Sequence, residues 1–177
     1  SSTKSGTISY GGSCSSDNTT ASTNNNTITF GSGDNMSDGT YSNCTVRVTS
    51  NGVASDNLTL SSFTIDATKP VLAQVTAIGT TSDTTPSYTF SSTEAGTIIY
   101  SGSCSSDNNT ALADNMTVSF AALAEGTYSN CGIQVRDSAS NTSDNLTVSS
   151  FTISGVKPVL AQVTPVSTPT NDSTPSY

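Results

Sequence analysis

The sequence predicts an all-β protein built from two copies of a small β-sandwich, and three features carry that prediction. Four blocks of sequence occur twice, at a spacing of about 88 residues. Apolar residues alternate with polar ones, which is typical of strands that bury one face. Each copy also holds two cysteines at matching places. A repeat of this length is a whole small domain, because solenoid repeats span only roughly 20–50 residues.

The repeated blocks set the expected domain boundaries. They are residues 1–18 with 91–108, 39–44 with 126–131, 55–65 with 143–153, and 69–76 with 157–164. We therefore predict a repeat that lacks its first strands (1–66), a complete repeat (67–154), and the first strands of a third repeat (155–177). Short proline-containing linkers are expected at 66–70 and 154–158.

Two explanations of these boundaries remain open at this stage. The chain is either a window on a longer covalent array or a subunit that completes its neighbour. In the second case the tail, residues 156–177, adds its strands to the open domain, residues 1–66, of the next copy. Both explanations describe a fibre.

Period-two alternation places the strands of the complete repeat. The apolar positions that mark successive strands are Val71, Ala73 and Val75; Tyr88 and Phe90; Ile98 and Tyr100; Val118 and Phe120; and Cys131, Ile133 and Val135. The last strand, residues 146–153, changes phase at Ser149 and Ser150, which predicts a β-bulge. Ser61 and Ser62 show the same slip in the first copy. Six or seven short strands in about 88 residues predict a β-sandwich.

The four cysteines predict one disulfide in each repeat. Four cysteines allow three pairings, and pairing Cys14 with Cys44 and Cys104 with Cys131 gives each repeat its own cross-link. A zinc site is disfavoured because the chain has no histidine and no CxxC spacing. Each bridge is expected to join the end of the third strand to the start of the sixth. Disulfides indicate an oxidising compartment outside the cytoplasm.

Several short motifs occur in a fixed order along the chain: TPSYTFSSTEAGTI at 85–98, EGTY at 125–128, RDSASN at 136–141 and KPVLAQVTPV at 157–166. In this order they resemble the bacterial immunoglobulin-like repeats of large surface proteins and adhesins. The resemblance covers essentially the whole chain and implies tandem immunoglobulin-like sandwiches in a stalk or fibre. The cysteine pair is not general in that family. Tyr41 and Tyr128 precede a cysteine by three residues rather than two, so the spacing does not predict a tyrosine-corner hydrogen bond.

Composition argues against several classes of function. The net charge is −8 with only five basic residues, so nucleic acid is not an expected partner. No apolar run approaches the 18 or so residues of a membrane span. Without histidine there is no Ser-His or Cys-His catalytic pair. Glu94 and Glu125, the only glutamates, sit in glycine-containing turns, so we predict no enzyme and no cofactor.

Two kinds of modification or ligand site remain as candidates. Calcium is the first, because oxygen ligands suit it; the candidate residues are Asp66, Asp83, Asp137 and Asp172. The alternative is that these aspartates form turns, since Asp66 becomes Ser154 in the other copy and Asp137 corresponds to Ser50. Asparagine-linked glycosylation is the second, and the sequons that recur between copies are Asn18 with Asn108 and Asn57 with Asn145.

The predicted function is that of a structural repeat in an extracellular bacterial surface fibre, stalk or filament, with no chemistry of its own. Its partners would be neighbouring copies of the same repeat, joined covalently in tandem or by strand exchange. The alternative is an adhesin module that binds a host or surface ligand, such as a carbohydrate, through loops that include residues 105–114. Either reading places the protein outside the cell or on its surface.

Overall fold

Short β-strands, two to six residues long, form the fold. The structure, a computed structural model, describes residues 1–31, 36–155, 159–161, 171 and 173–174. Within these ranges there is no helix, which confirms the all-β prediction. The chain divides into two units by its contacts, the first made of residues 1–70 with 136–143 and the second of residues 71–135 with 144–177.

The first unit contains seven strands. They are β1 (Gly6–Gly11), β2 (Thr20–Ala21), β3 (Gly39–Tyr41), β4 (Thr45–Ser50), β5 (Val53–Ala54), β6 (Leu58–Thr59) and β7 (Phe63–Ile65). The larger sheet has the order β2-β1-β4-β5, and β6 also pairs with β4; the smaller sheet is the antiparallel pair β3-β7. Strands β1 and β4 form the longest pairing, from Thr7 opposite Thr49 to Gly11 opposite Thr45.

Ten further strands follow. They are β8 (Leu72–Thr76), β9 (Thr80–Thr81), β10 (Ser87–Ser92), β11 (Gly96–Ser101), β12 (Thr110–Ala111), β13 (Asn115–Ser119), β14 (Gly126–Tyr128), β15 (Gly132–Arg136), β16 (Leu146–Thr147) and β17 (Phe151–Ile153). They form three sheets with the orders β12-β11-β15-β16, β13-β10-β8 and β14-β17-β9. Strands β17 and β9 pair in parallel, with Thr152 opposite Thr80.

Blocks of like sequence form like pairs in the two units. Gly6 pairs with Ala21 as Gly96 pairs with Ala111. The pairing of β3 with β7 has the same register as the pairing of β14 with β17. Gly39 lies opposite Ile65 in the first, and Gly126 lies opposite Ile153 in the second. The sheet β13-β10-β8 is different, because its counterpart is not formed within residues 1–31 and 36–70.

The structure changes the expected face of one strand. Val71 and Val75 are 62% and 47% exposed, and Ala73 is exposed as well. Leu72 and Gln74 are the half-buried residues of β8. The Oε1 atom of Gln74 accepts hydrogen bonds from the Tyr88 hydroxyl (3.2 Å) and the Ser149 amide (3.1 Å), so an inward polar side chain is fully compatible with this position.

The predicted β-bulge in the last strand is wrong. Ser149 and Ser150 separate two strands that belong to different sheets, since β16 pairs with β15 and β17 pairs with β14. Ser61 and Ser62 separate β6 from β7 in the same way. A strand that crosses from one sheet to the other reverses its inward face, which gives the same phase change in the sequence as a bulge.

The core of the second unit is continuous. Sixteen buried residues form it, and Tyr88, Phe90, Val118, Ile133 and Val135 are entirely inaccessible to solvent. The predicted inward positions of these strands are therefore confirmed. The first unit buries only Ile8, Ala21 and Val46 in its apolar cluster, with partly buried side chains around them.

Candidate functional site

An apolar groove of about 450 Å³ lies in the first unit. Inward side chains of β1, β4 and the 58–60 segment line it, together with alternate residues of the segment 26–30. Its apolar lining includes Ile8, Ile28, Phe30, Val48, Leu58 and Leu60. Ile28, Phe30, Val48 and Leu60 are half-buried, and Leu58 is 60% exposed.

The same positions are covered in the second unit. Val118 and Phe120 correspond to Ile28 and Phe30 and are 0% and 1% exposed. Val135 and Val148, which correspond to Val48 and Leu60, are also buried. These residues are buried in the second unit because the sheet β13-β10-β8 covers them, with Tyr88 and Phe90 of β10 in the core.

The stacking of aromatic rings also differs between the two units. In the second unit Phe120 stacks between Tyr88 (centroids 6.1 Å apart) and Phe151 (6.2 Å), and Tyr128 extends the stack. In the first unit Phe30 stacks on Phe63 at 6.1 Å, and Tyr41 continues from there. Within residues 1–31 and 36–70 no ring occupies the place that Tyr88 takes against Phe120.

Each unit has its own disulfide. Cys14 bonds to Cys44 with a Cα–Cα distance of 5.3 Å, and Cys104 bonds to Cys131 at 5.2 Å. Each bridge joins a cysteine three residues after one strand (β1 or β11) to the cysteine immediately before the neighbouring strand (β4 or β15), in line with the expected link between the end of one strand and the start of the other. These disulfides indicate a secreted protein outside the cytoplasm.

A glycine stands beside each bridge, and sequence reasoning missed its role. Gly102 has φ = 74°, and a Cβ atom there would collide with the carbonyl oxygen of Asn130. The Asn130 side chain accepts a hydrogen bond from the Ser103 amide at 3.3 Å. Gly12 and Asn43 repeat this arrangement. The repeated Gly-Ser-Cys triplet was the available signal.

The tyrosines before the second cysteine of each unit do form a corner-type hydrogen bond. The Tyr41 hydroxyl donates to the Ser37 carbonyl at 2.9 Å, and the Tyr128 hydroxyl donates to the Ala124 carbonyl at 2.8 Å. The three-residue spacing to cysteine therefore does not prevent the bond.

Asp83 is a turn residue in the structure. Its Oδ1 accepts hydrogen bonds from the Thr85 amide (2.9 Å) and the Thr85 hydroxyl (3.1 Å), the pattern of an Asx turn. Asp172 lies outside the described residues.

Asp66 and Asp137 are brought close together in the first unit. Their carboxylate oxygens lie within 4.8 Å of each other. Between them, the Asn141 side-chain amide donates to the Asp66 carbonyl (3.0 Å) and to Asp137 Oδ2 (2.8 Å). The Asn141 side chain therefore links the backbone at Asp66 to the side chain of Asp137, and the Thr68 amide donates to Asp66 Oδ1 at 3.3 Å.

Asp137 is 8% exposed. Burial raises the pKa of this carboxyl, but hydrogen bonds outweigh that effect and hold the pKa below its usual value. The donors are the Asn141 side chain and the backbone amides of Asn141, Ala139 and Ser140. The carboxylate is therefore kept ionised by its own loop.

A further carboxylate, Asp38, was not among the sequence candidates. It accepts hydrogen bonds from the Thr68 hydroxyl and from the Ala67 amide at 2.8 Å. The Thr68 hydroxyl first, and then the Ala67 amide, lower the pKa of Asp38. Its partners lie 29 and 30 residues away in sequence, so no local pattern points to this residue.

The four candidate sequon asparagines are all exposed. Asn18 and Asn108 accept a hydrogen bond from the amide two residues later, at 3.3 Å in each case. Asn18 also donates from Nδ2 to the Thr27 carbonyl at 3.1 Å, and Asn145 donates to the Thr147 hydroxyl. Asn57 is exposed beside β6. Glycosylation at these positions stays a prediction.

The loop that the adhesin alternative invokes, residues 105–114, is tied to its own unit. The Tyr100 hydroxyl donates to the Asn108 carbonyl, and Ser106 donates to the Ser119 carbonyl at 2.7 Å. Burial raises the pKa of Tyr100, against a smaller lowering by a hydrogen bond with Ser106. Leu112, at 59% exposure, is the large apolar side chain that this loop presents to solvent.

Comparison with known proteins gives no relative for this chain: no family model, curated protein or solved structure matches it. In the part of the chain that the structure describes, no helix is long and apolar enough to cross a bilayer.

Proposed function

We propose that this chain is a structural segment of an extracellular bacterial surface fibre, stalk or filament, made of immunoglobulin-like β-sandwiches in tandem and without chemistry of its own. The observation that carries the proposal is the repeated cross-link. Cys14–Cys44 and Cys104–Cys131 each fasten a pair of neighbouring strands at the same place. One cross-link in every domain is the arrangement that limits how far a chain of domains extends under tension.

The outer faces of the sheets suit a passive role. Hydroxyl side chains meet across neighbouring strands, as in Thr40 with Thr64 (3.2 Å) and Thr127 with Thr152 (3.1 Å). Thr89 and Thr117 make a further pair at 2.8 Å. Such cross-strand pairs stabilise a sheet by roughly 0.2–1 kcal/mol each. The net charge of −8 keeps neighbouring fibres apart.

Single-molecule stretching of the full chain between its ends tests the proposal. The bridged cysteines are 30 and 27 residues apart, so each disulfide withholds on the order of 100 Å of extended chain. We expect each unit to open at a distinct force peak, and reductant to lengthen each extension by that amount. A variant with Cys104→Ser and Cys131→Ser should show the longer extension for the second unit alone without reductant.

Extension without force peaks would overturn the mechanical role. Specific, saturable binding of the chain to one glycan on an array would favour the adhesin alternative instead, and Leu112→Ser would then be the first variant to compare with the parent chain.

A further inference from the structure

We propose that Asn51 is a modification site, at which the side-chain amide is lost by spontaneous deamidation through a cyclic imide formed with Gly52. The inference goes beyond the proposed function and does not depend on it, because the reaction needs only the chain and water. Three properties of the turn between β4 and β5 favour the reaction: its sequence, its exposure and the hydrogen bonding of its asparagine.

The sequence of the turn favours ring closure. Asn51 is the one asparagine, of the fifteen in the chain, that a glycine follows. Ring closure brings the amide nitrogen of the following residue onto the asparagine Cγ atom, and a side chain on that residue would crowd the approach. A Cβ atom built on Gly52 would meet no heavy atom of the described residues within 4 Å. The space beside the attacking nitrogen is therefore open.

The turn lies at the edge of its sheet. It joins β4 to β5, which is two residues long and last in the order β2-β1-β4-β5. Asn51 and Gly52 are exposed, and Val53 of β5 is 74% exposed. Two residue pairs join β5 to β4, and a contact this small opens locally at a low cost in free energy. Water therefore reaches the turn, and the turn has room to change its conformation.

The tip of this turn is also exposed in the complete repeat, residues 67–154. Ser138 and Ala139 are the counterparts of Asn51 and Gly52, and both are exposed, although Asn141 in the same loop is half-buried. The exposure of the tip is therefore shared by the two copies. The reactive pair is not shared, because serine and alanine replace it in the complete repeat.

The Asn51 side chain is free to turn toward Gly52. Within the part of the chain that the structure describes, its carboxamide makes no hydrogen bond. Other asparagine side chains are held in place: Asn18 donates to the Thr27 carbonyl at 3.1 Å, and Asn43 accepts from a backbone amide at 3.0 Å. Such bonds keep the Cγ atom away from the next backbone nitrogen, and Asn51 lacks this protection in the described structure.

The reaction balances with water as its only co-reactant. The Gly52 nitrogen attacks the Asn51 Cγ atom, the N–Cγ bond forms, and the Cγ–Nδ2 bond breaks. The departing nitrogen takes the proton of the Gly52 amide and leaves as ammonia, which closes a five-membered imide ring. One water molecule then opens the ring. Attack at Cγ gives aspartate at position 51, and attack at the backbone carbonyl carbon gives isoaspartate, in which the main chain runs through Cγ.

The two products change the turn differently. Both add one negative charge to the net charge of −8, and isoaspartate also lengthens the main chain by one atom. Asn51 has φ = 50° and Gly52 has φ = 78°, which is the pair of left-handed residues that a two-residue hairpin turn requires. An added main-chain atom does not fit this turn, so isoaspartate should separate β5 from β4.

Incubation of the disulfide-bonded 177-residue chain in water labelled with oxygen-18, followed by peptide mapping with tandem mass spectrometry, tests the inference. The label distinguishes deamidation during incubation from deamidation during digestion. Asn57 is the internal control, because it is exposed as well but precedes Leu58. We expect Asn51 to deamidate about tenfold faster than Asn57 or more, because Gly52 has no Cβ atom. Equal rates at the two asparagines would overturn the inference.

The variant Asn51→Gln tests the assignment to this residue. Its longer side chain would have to close a six-membered ring, so labelling of the peptide that contains residues 48–55 should fall to the rate measured at Asn57. Labelling of that peptide at the rate of the parent chain would contradict a reaction at Asn51. Absence of force peaks in the stretching experiment would contradict the proposed function and leave deamidation of Asn51 standing.

Hydrogen exchange tests the effect on the hairpin. The Ser55 amide donates to the Val48 carbonyl at 2.9 Å, and exchange in residues 48–55 should become faster in the isoaspartate form. Asn51→Asp is the matched control, because it adds the charge and keeps the normal main chain. Its exchange should stay within about twofold of the parent chain. Equal exchange in the isoaspartate form and in Asn51→Asp would contradict the separation of β5 from β4.

Discussion

The rings of Tyr88 and Phe120 stack with their centroids 6.1 Å apart and their planes 15° from parallel. Tyr88 comes from β10 and Phe120 from the residue after β13, so the contact joins two neighbouring strands of one sheet. Both rings are almost wholly removed from solvent. Phe30, the counterpart of Phe120, is only half-buried in the first unit. The two phenylalanines therefore allow the same substitution to be compared at a buried and at a half-buried position.

Phe120→Ala should destabilise the second unit by about 3–5 kcal/mol, the usual cost of emptying a packed aromatic site. Phe30→Ala should cost the first unit about 1 kcal/mol, because much of that ring is already in contact with water. Hydrogen exchange read separately for the two units, in dilute solution, measures both. Equal losses in the two units would contradict the difference in packing.

Stability should fall in alkaline solution, and Tyr88 should account for part of the fall. Burial raises the pKa of Tyr88 from 10.0 to about 12, so the folded state holds the phenol proton that the unfolded state loses. The stabilisation is complete below pH 10 and is lost as the pH rises from about 10 to 12. Urea unfolding followed by circular dichroism measures it. In Tyr88→Phe this part of the pH dependence should disappear, and parallel curves for the two proteins would contradict the assignment.

Gly102→Ala should destabilise the second unit by about 1–3 kcal/mol, because φ = 74° strains an alanine and the added Cβ would strike the Asn130 carbonyl. Gly79→Ala is the control, since a Cβ at Gly79 would have no neighbour within 4 Å. Thermal unfolding of both variants measures the contrast. A Gly102→Ala protein as stable as Gly79→Ala would show that the turn beside the disulfide tolerates a side chain.

Alternation of apolar residues was sufficient to predict the all-β class and the buried faces of Tyr88, Phe90, Val118 and Ile133. It worked because those strands are covered, so hydrophobicity and burial coincide. The same rule suggested the wrong face for β8. Gln74 points inward there because its carbonyl oxygen finds two donors, at Tyr88 and Ser149, and one of them is 75 residues distant.

Of the features of the candidate site, only some could be predicted from the sequence. Cysteine count and spacing were enough for the disulfides, because each pairing closes a loop within one repeat. The groove could be anticipated from the expectation that residues 1–66 lack their first strands, but its lining residues could not. Asp38 was unpredictable, since its partners Ala67 and Thr68 are 29 and 30 residues away in sequence.

Asp137 should behave as a loop residue, with calcium making no difference. The pKa of its carboxyl is held below 3.8 by amide donors that outweigh its burial, so the ionised form stabilises the loop above the unfolded pKa. That contribution is lost as the pH falls through the folded value. Asp137→Ala should lower the melting temperature at pH 7, whereas EDTA should leave the parent chain unchanged. A melting temperature that rises with added Ca²⁺ and falls with EDTA would revive the calcium candidates.

Removing one disulfide should weaken one unit and spare the other. The paired variant Cys104→Ser and Cys131→Ser frees a loop of 27 residues, and the chain-entropy estimate for a loop of this size is about 3–4 kcal/mol. The second unit should lose that amount because its unfolded chain gains conformational freedom. The counterpart variant, Cys14→Ser and Cys44→Ser, should act on the first unit, whose smaller buried cluster leaves less stability to spare. Hydrogen exchange in the two units distinguishes these effects, and a loss shared equally by both units in either variant would contradict independent cross-linking.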